Sequence, residues 1–260
     1  MINEIHNENC LDTMARMEDN FIDLTVTSPP YDNLRTYNGY SFDFESIAKE
    51  LYRTTKDGGV VVWVVGDATI KGSESGTSFR QALYFMECGF RLHDTMIYKK
   101  PNIPKNHKRY EQDFEYMFVF SKGKPNTFNA IMIDNKQFGR GSTGATFRHT
   151  GKETKKIHND NPIKKQRIKG NIWNIDTGYM RATKDKIAFE HPAIFPEKLA
   201  NDHIISWSNE GDIIYDCFGG SGTTAKMSKI LNRKWIVSEV SKDYCYIIKE
   251  RLSEVGTLFN

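Results

Sequence analysis

The 260-residue sequence predicts an α/β fold, a mostly parallel, twisted sheet with helices on both faces. Three observations carry this. Apolar segments of strand and helix character alternate at both ends of the chain. Val60 to Val65 is an unbroken apolar run holding Trp63, the pattern of a strand buried on both faces. Near the C-terminus a strand, a Gly-rich loop, a helix and a strand ending in an acid follow one another, the order of a nucleotide-binding βαβ unit.

In the first block, Asp12 to Met17 reads as a helix turn, and Phe21 to Thr27 as a strand stopped by Ser28-Pro29-Pro30. Phe44, Ile47, Ala48 and Leu51 fall at helical spacing, so a helix runs over 44–55 and ends before Gly58-Gly59. After the Val60–Val65 strand, Ser78 to Cys88 reads as a helix stopped at Gly89. Arg91 to Lys99 and Tyr116 to Phe120 read as strands.

From Lys122 to Glu190 apolar periodicity fades, and Gly, Asn, Thr and Lys take over. Such a stretch is too long for a plain loop. The expected organisation is therefore a main domain over 1–121 and 191–260, with an inserted functional region over 122–190. In the second block, Glu197 to Ser206 is helical and Ile213 to Tyr215 a strand. Next come the loop Asp216-Cys-Phe-Gly-Gly-Ser-Gly-Thr-Thr224, a helix over Ala225–Leu231, a strand over Lys234–Val240 and a helix over Asp243–Leu252.

Composition excludes several classes. Hydrophobic residues make up 38% and charged residues 27%, neither a disordered nor a membrane balance. Val60–Val65 is far too short to span a bilayer. No basic region followed by an apolar stretch opens the chain, so a cytoplasmic protein is expected. Cys10, Cys88, Cys217 and Cys245 show no C-x-x-C spacing, so reduced, mostly buried thiols and no metal site are expected. Net charge is only +3, yet residues 148–169 alone carry +6, from eight basic and two acidic residues. Five further basic residues and no acidic one lie between Lys99 and Tyr110. A basic patch on a near-neutral body is the footprint of phosphate binding, although a solvated loop surface carries the same residues. Lys105, Lys108, Arg109, Arg148, Lys155, Lys156, Lys164, Lys165 and Arg167 are the candidate DNA contacts. His107, His149 and His158 share no ligand-like spacing and read as surface or phosphate contacts.

Two motifs carry chemistry. Gly220-Ser221-Gly222-Thr223-Thr224-Ala225 satisfies G-x-G-x-x-G/A, and Glu239 follows at a strand end, placed to accept from ribose hydroxyls. A dehydrogenase shares this pattern, but after Glu239 only one helix of chain remains, so the rest of the sheet precedes the unit. The second motif is Val26-Thr27-Ser28-Pro29-Pro30-Tyr31. Two prolines stiffen the chain after the strand and leave the Pro29 carbonyl as a fixed acceptor. With the Ser28 acceptor and the flat face of Tyr31, this describes a site for a planar amino group on a base. A rigid turn or a proline-rich ligand is the plain alternative.

Ser28-Pro29-Pro30-Tyr31 and Asp216-Cys-Phe-Gly-Gly-Ser-Gly-Thr223 together resemble the amino-methyltransferases of DNA, over about residues 1–120 and 190–255. The order, catalytic motif first and cofactor motif last, resembles the permuted β class. The resemblance implies a Rossmann-like methyltransferase fold with an inserted target-recognition region. It implies S-adenosyl-L-methionine as cofactor, double-stranded DNA as substrate, a flipped base and a restriction-modification setting. A second copy of the chain and a cognate restriction endonuclease are its candidate partners. Catalysis falls to Ser28, Pro29, Pro30 and Tyr31. Asp216, Phe218, Gly220 and Gly222 line the methionine part of the cofactor, with Ser221 and Thr223 in the same motif, and Glu239 holds the ribose. The segment opened by His191 resembles the one that closes the cofactor pocket. Asn9 stands where the family has an aspartate against the cofactor's adenine, and capping of the following helix is its other reading. Ser28 at the head of the motif looks more like N4-cytosine than N6-adenine enzymes. No cysteine sits beside the prolines, against a carbon-5 cytosine enzyme. Related sites on RNA or protein amides carry the motifs in the opposite order, and an inactive DNA-binding scaffold is opposed by intact Ser28, Tyr31, Asp216 and Glu239. Trp173 and Tyr179 form either a local core or a wedge into DNA.

Overall fold

The computed structural model describes residues 1–30, 43–101, 110–139, 145–150, 153–158 and 163–255, with backbone alone at 145–150 and 153–158. Along the chain come β1 (Glu4–His6), α1 (Cys10–Ala15), β2 (Ile22–Thr27), α2 (Phe44–Thr54) and β3 (Thr55–Val65). Two short strands, β4 (Thr69–Ile70) and β5 (Ser73–Glu74), precede α3 (Thr77–Glu87), β6 (Arg91–Lys99) and β7 (Phe114–Ser121). Then follow β8 (Met132–Asp134), β9 (Ala145–Thr150), β10 (Glu153–His158), β11 (Gln166–Ile168) and β12 (Ile172–Asn174). The last elements are α4 (Glu197–Trp207), β13 (Ile213–Asp216), α5 (Thr223–Ile230), β14 (Lys234–Ser238) and α6 (Lys242–Glu254).

Eight strands form one sheet in the order β1-β14-β13-β2-β3-β7-β6-β12. Among the described strands of this sheet β7 runs against both neighbours, and every other pairing is parallel. The interior strands are covered on both faces, as the apolar run Val60–Val65 predicted: each of its residues is at most 2% exposed. Alternation sends successive side chains into two cores. Ile236 joins a cluster with Met14, Leu51, Trp63 and Phe85, so α1, α2 and α3 cover that face. Its neighbour Val237 joins Ala225, Ile248 and Leu252, contributed by α5 and α6 on the other.

The sheet has one topological switch beside β2. From β2 the chain passes through α2 to β3, while from the adjacent β13 it passes through α5 to β14 on the opposite side. In open α/β sheets ligands bind in the crevice outside the strand C-termini at such a point.

Two compact units divide the chain: residues 1–129 with 171–260, and residues 130–170. The second is thus narrower than the 122–190 region expected from sequence texture. Asn129 is bonded to the end of α4, its backbone N–H donating to the Ser206 carbonyl at 2.8 Å. Beyond Gly170, β12 joins the main sheet beside β6. Unit two consists of two antiparallel pairs, β8 with β11 and β9 with β10. The α1 helix also begins earlier than its periodicity suggested, because the Asn9 side chain accepts from Leu11 N at 2.9 Å and caps it. No helix among the described residues is long and apolar enough to cross a membrane.

Candidate active site

A cleft of about 1020 Å³ follows the C-terminal edge of the sheet in the larger unit. It brings together Asn9, Ser28, Pro29, Pro30, His191, Asp216, Phe218, Gly220, Ser221, Thr223 and Glu239, residues that lie at both ends of the sequence. β2 delivers Ser28 and the prolines, and β13 delivers Asp216 from the neighbouring strand.

The two motifs are bonded to each other. The Thr27 hydroxyl donates to Asp216 Oδ1 at 2.7 Å, and the Phe218 N–H donates to the same oxygen at 3.1 Å. From α5, the Thr224 hydroxyl donates to the Val26 carbonyl at 3.1 Å. Burial pushes the Asp216 carboxyl up to about 7, despite the hydrogen bonds from Thr27, Phe218 and Thr224 that favour its charged form. Glu239, at the end of β14, accepts from Gly220 N at 2.8 Å and from Ser241 N at 2.9 Å. Its carboxyl is likewise raised by burial, against those backbone donors. The acid therefore holds the Gly-rich loop as well as facing the cleft, and each oxygen keeps a lone pair for a further donor.

The glycines of the loop have different jobs. Gly220 has φ +50°, and a Cβ there would stand 3.2 Å from His191 Nε2 in the cleft wall. Gly222, assigned to the cofactor from the motif, does not line the cleft. It is the N-cap of α5 at φ +79°, and its missing Cβ would meet Ile248 Cγ2 at 2.8 Å. Its role is the close packing of α5 on α6 that the loop's tight turn imposes.

His191 packs edge-on against Tyr244, ring centroids 4.3 Å apart, and its Nδ1 lies 2.8 Å from the Ala193 carbonyl. The Thr223 hydroxyl donates to the Phe195 carbonyl at 3.0 Å, tying this segment to the loop. Further along the edge the cleft is lined by residues that the sequence did not single out, among them Asp67, Tyr98, Lys100 and Glu115. Asp67 ends the β3 segment and accepts from Ser78 N at 3.0 Å, capping α3. Lys100 and Glu115 pair at 2.7 Å. Nothing local marks these four, which become neighbours only because β3, β7 and β6 are adjacent in the sheet.

Asn9 lines the cleft while capping α1, so its Oδ1 is engaged and its amide N–H donors face outward from that bond. Trp173 is 4% exposed, on β12 with its ring 4.6 Å from that of His203, which makes it core and removes the reading of a wedge into DNA. Tyr179 is exposed, lines the cleft and packs on Phe189. Lys164, Lys165 and Arg167 are exposed in the second unit. Arg148, Lys155 and Lys156 lie on β9 and β10, with side chains outside the described residues. Tyr31, Lys105, Lys108 and Arg109 lie outside the described residues altogether, as does His107. Cys10, Cys217 and Cys245 are buried and Cys88 half-buried, all as free thiols.

A family model described as DNA methylase, of the N6/N4 type, matches residues 22–250. The orphan methyltransferase M.BamHII of Bacillus amyloliquefaciens is 61% identical over 235 residues, covering 89% of this chain and 88% of that protein. The type II methyltransferase M.BglII of Bacillus subtilis is 26% identical over 262 residues, 97% of this chain and 69% of the relative. Among solved structures, PvuII DNA methyltransferase (cytosine-N4-specific) superposes with TM-score 0.71 at 20% identity, covering 99% of this chain and 91% of that one. The DNA modification methylase TTHA0409 of Thermus thermophilus, complexed with S-adenosyl-L-methionine, gives TM-score 0.66 at 20% identity, covering 97% and 93%. These two likenesses show a shared fold.

Proposed function

The chain belongs to the N6/N4 DNA methylase family, and from that premise we propose that it transfers a methyl group from S-adenosyl-L-methionine to N4 of a cytosine flipped out of double-stranded DNA. The observation that carries the reading is the junction of the two motifs: Ser28-Pro29-Pro30 and Asp216 line one cleft and are joined through Thr27 at the switch point of the sheet.

The residues present fit the cofactor. Asp216 offers a buried carboxyl for an ammonium group, Glu239 keeps lone pairs for ribose hydroxyls, and Gly220 leaves open the space beneath His191 that a Cβ would narrow. When bound, the cofactor supplies a methyl group already activated by a sulfonium centre. The protein's work is then positioning and electrostatics. Ser28 and the Pro29 carbonyl accept from the amino group and draw electron density toward its nitrogen. The proline pair keeps those acceptors in place without reorganisation. Tyr31 stacks on the flipped base.

Cytosine is supported by serine at the head of the motif. Adenine N6 is the second reading, because the same acceptors serve its amino group. Exposed Lys164, Lys165 and Arg167 are the proposed phosphate contacts of the 130–170 unit, which we read as the target-recognition region.

Mass spectrometry of nucleosides from DNA incubated with enzyme and labelled cofactor tests the proposal. N4-methylcytosine is the expected product. N6-methyladenine alone would overturn the base and keep the class, and label in neither would overturn the activity. Ser28→Ala should lower turnover by roughly 10²–10³ through loss of one preorganised polar contact, with cofactor affinity unchanged.

A further inference from the structure

Residues 183–196 form a loop closed at its neck. The Glu197 N–H donates to the Ala182 carbonyl at 3.0 Å, so the chain leaves and returns at one place. Inside the loop, Phe189, His191 and residues 192–195 line the cleft. A compact loop of this length with touching ends is an Ω-loop, a form that is frequently functional.

Four charged side chains meet at the neck. Lys226 Nζ lies 2.6 Å from Asp185 Oδ2 and 2.7 Å from Glu197 Oε1. Arg251 approaches the same two oxygens, Nε to Asp185 Oδ2 at 2.7 Å and Nη2 to Glu197 Oε1 at 2.8 Å. The box is neutral as a whole. The Arg251 side chain is fully buried, Lys226 is 8% exposed, and the Thr183 hydroxyl donates to Glu197 Oε1 at 2.7 Å. Burial alone would raise the Asp185 carboxyl, but hydrogen bonds from Lys226 and Arg251 outweigh it and hold it below the usual range.

Arg251 also reaches the other wall of the cleft. Its Nη1 donates to the Ser221 carbonyl at 2.6 Å and to the Thr223 hydroxyl at 3.0 Å. One guanidinium thus joins both ends of the 183–196 loop to the Gly-rich loop. Its planar fork has the donors to do so at once, which a lysine lacks.

We propose that Asp185, Glu197, Lys226 and Arg251 are positioning residues that set the 183–196 loop against the Gly-rich loop and so preform the cofactor pocket. The cofactor's identity rests on the function proposed above; the anchoring of the loop does not. None of the four touches the reacting groups. Their loss acts through His191, Phe195 and Ser221, so it falls on cofactor affinity and spares the chemical step.

The test uses Glu197→Gln and Asp185→Asn in the full chain. The double variant Lys226→Met with Asp185→Asn removes one charge of each sign and leaves the box neutral, so that folding is not lost to an uncompensated buried charge. Amide hydrogen exchange on the protein without cofactor should show faster exchange over 186–196 and 219–223, with β2, β3 and β7 as protected as in the parent. Calorimetry with S-adenosylhomocysteine should show affinity weakened about tenfold or more, because the pocket is no longer preformed. Turnover at saturating cofactor should stay within about twofold, a KM effect and not a kcat effect. Lys198→Ala, which removes an exposed pair with Asp202 on the same helix, should change neither readout. Unchanged exchange over 186–196, or a rise spread evenly over the sheet, would overturn the proposal, as would a loss of kcat at unchanged affinity. A parent protein that binds no S-adenosylhomocysteine would overturn the cofactor reading instead, and the exchange pattern would still decide the anchoring.

Discussion

The Thr27 hydroxyl donates a buried 2.7 Å hydrogen bond to Asp216, a residue 189 positions away in the chain. Adjacent strands carry the two, so the end of the proposed catalytic strand and the start of the proposed cofactor loop share one oxygen atom. Thr27→Val keeps the shape and removes the donor. The bond favours the charged carboxyl, so its loss should push Asp216 further above about 7. Cofactor affinity near neutral pH should fall, by about 1–3 kcal/mol at most, and recover as pH rises. Calorimetric titrations across pH read this directly, and a binding curve that coincides with the parent's would refute it.

The pH dependence of the parent has a definite sign. Burial raises Asp216 to about 7 in the folded protein, against about 3.9 in an unfolded chain. A raised group contributes stability that is fully present below the unfolded value and is lost as pH rises through the folded one. The difference in unfolding free energy between parent and Asp216→Asn should therefore shift against the parent between about pH 4 and 7. Cofactor binding has the opposite slope, since an ammonium partner needs the carboxylate, and should strengthen over the same window. Denaturant titrations and calorimetry at matched pH check both, and parallel curves for the two proteins would rule out Asp216 as their source.

Gly220 and Gly222 should separate binding from stability. Gly222→Val places a branched side chain at φ +79° against Ile248, and overpacking of this kind costs about 1–3 kcal/mol or more. A lowered Tm is expected, not the folded, non-binding protein that the motif alone suggests. Gly220→Ala projects into the cleft wall at His191, so it should weaken cofactor binding more than its stability loss explains. Thermal unfolding and calorimetry on the same samples distinguish them, and equal effects on both readouts would contradict the assignment.

DNA affinity should depend on the exposed cations of the smaller unit. Replacing Lys164, Lys165 and Arg167 together with Ala should reduce the slope of log K against log salt by about 0.9 for each phosphate no longer neutralised. An unchanged slope would place the DNA track elsewhere.

Much of the site was legible because its chemistry needs particular residue types in short order. Two prolines after a strand, glycines at a strand-to-helix turn and an acid at the next strand end are local requirements, and local sequence states them. The sheet's interior was legible for a similar reason: a strand covered on both faces must be apolar throughout, and Val60–Val65 is. The division of labour between Gly220 and Gly222 was not, since both satisfy one motif and only the neighbouring helix tells them apart.

By itself, then, the sequence determined the α/β class, the permuted motif order, the residues of the two motifs and the reading of their chemistry. Tertiary structure alone decided the Thr27–Asp216 bond, the use of Glu239 to hold Gly220, the place of β12 in the main sheet and the charge box at the neck of the 183–196 loop. Asp185, Glu197, Lys226 and Arg251 are residue types that solvate well and ordinarily face water. Whether such a group is buried and paired depends on which elements pack around it. That is a property of the sheet order and the helix faces, and no stretch of chain near any of the four contains it.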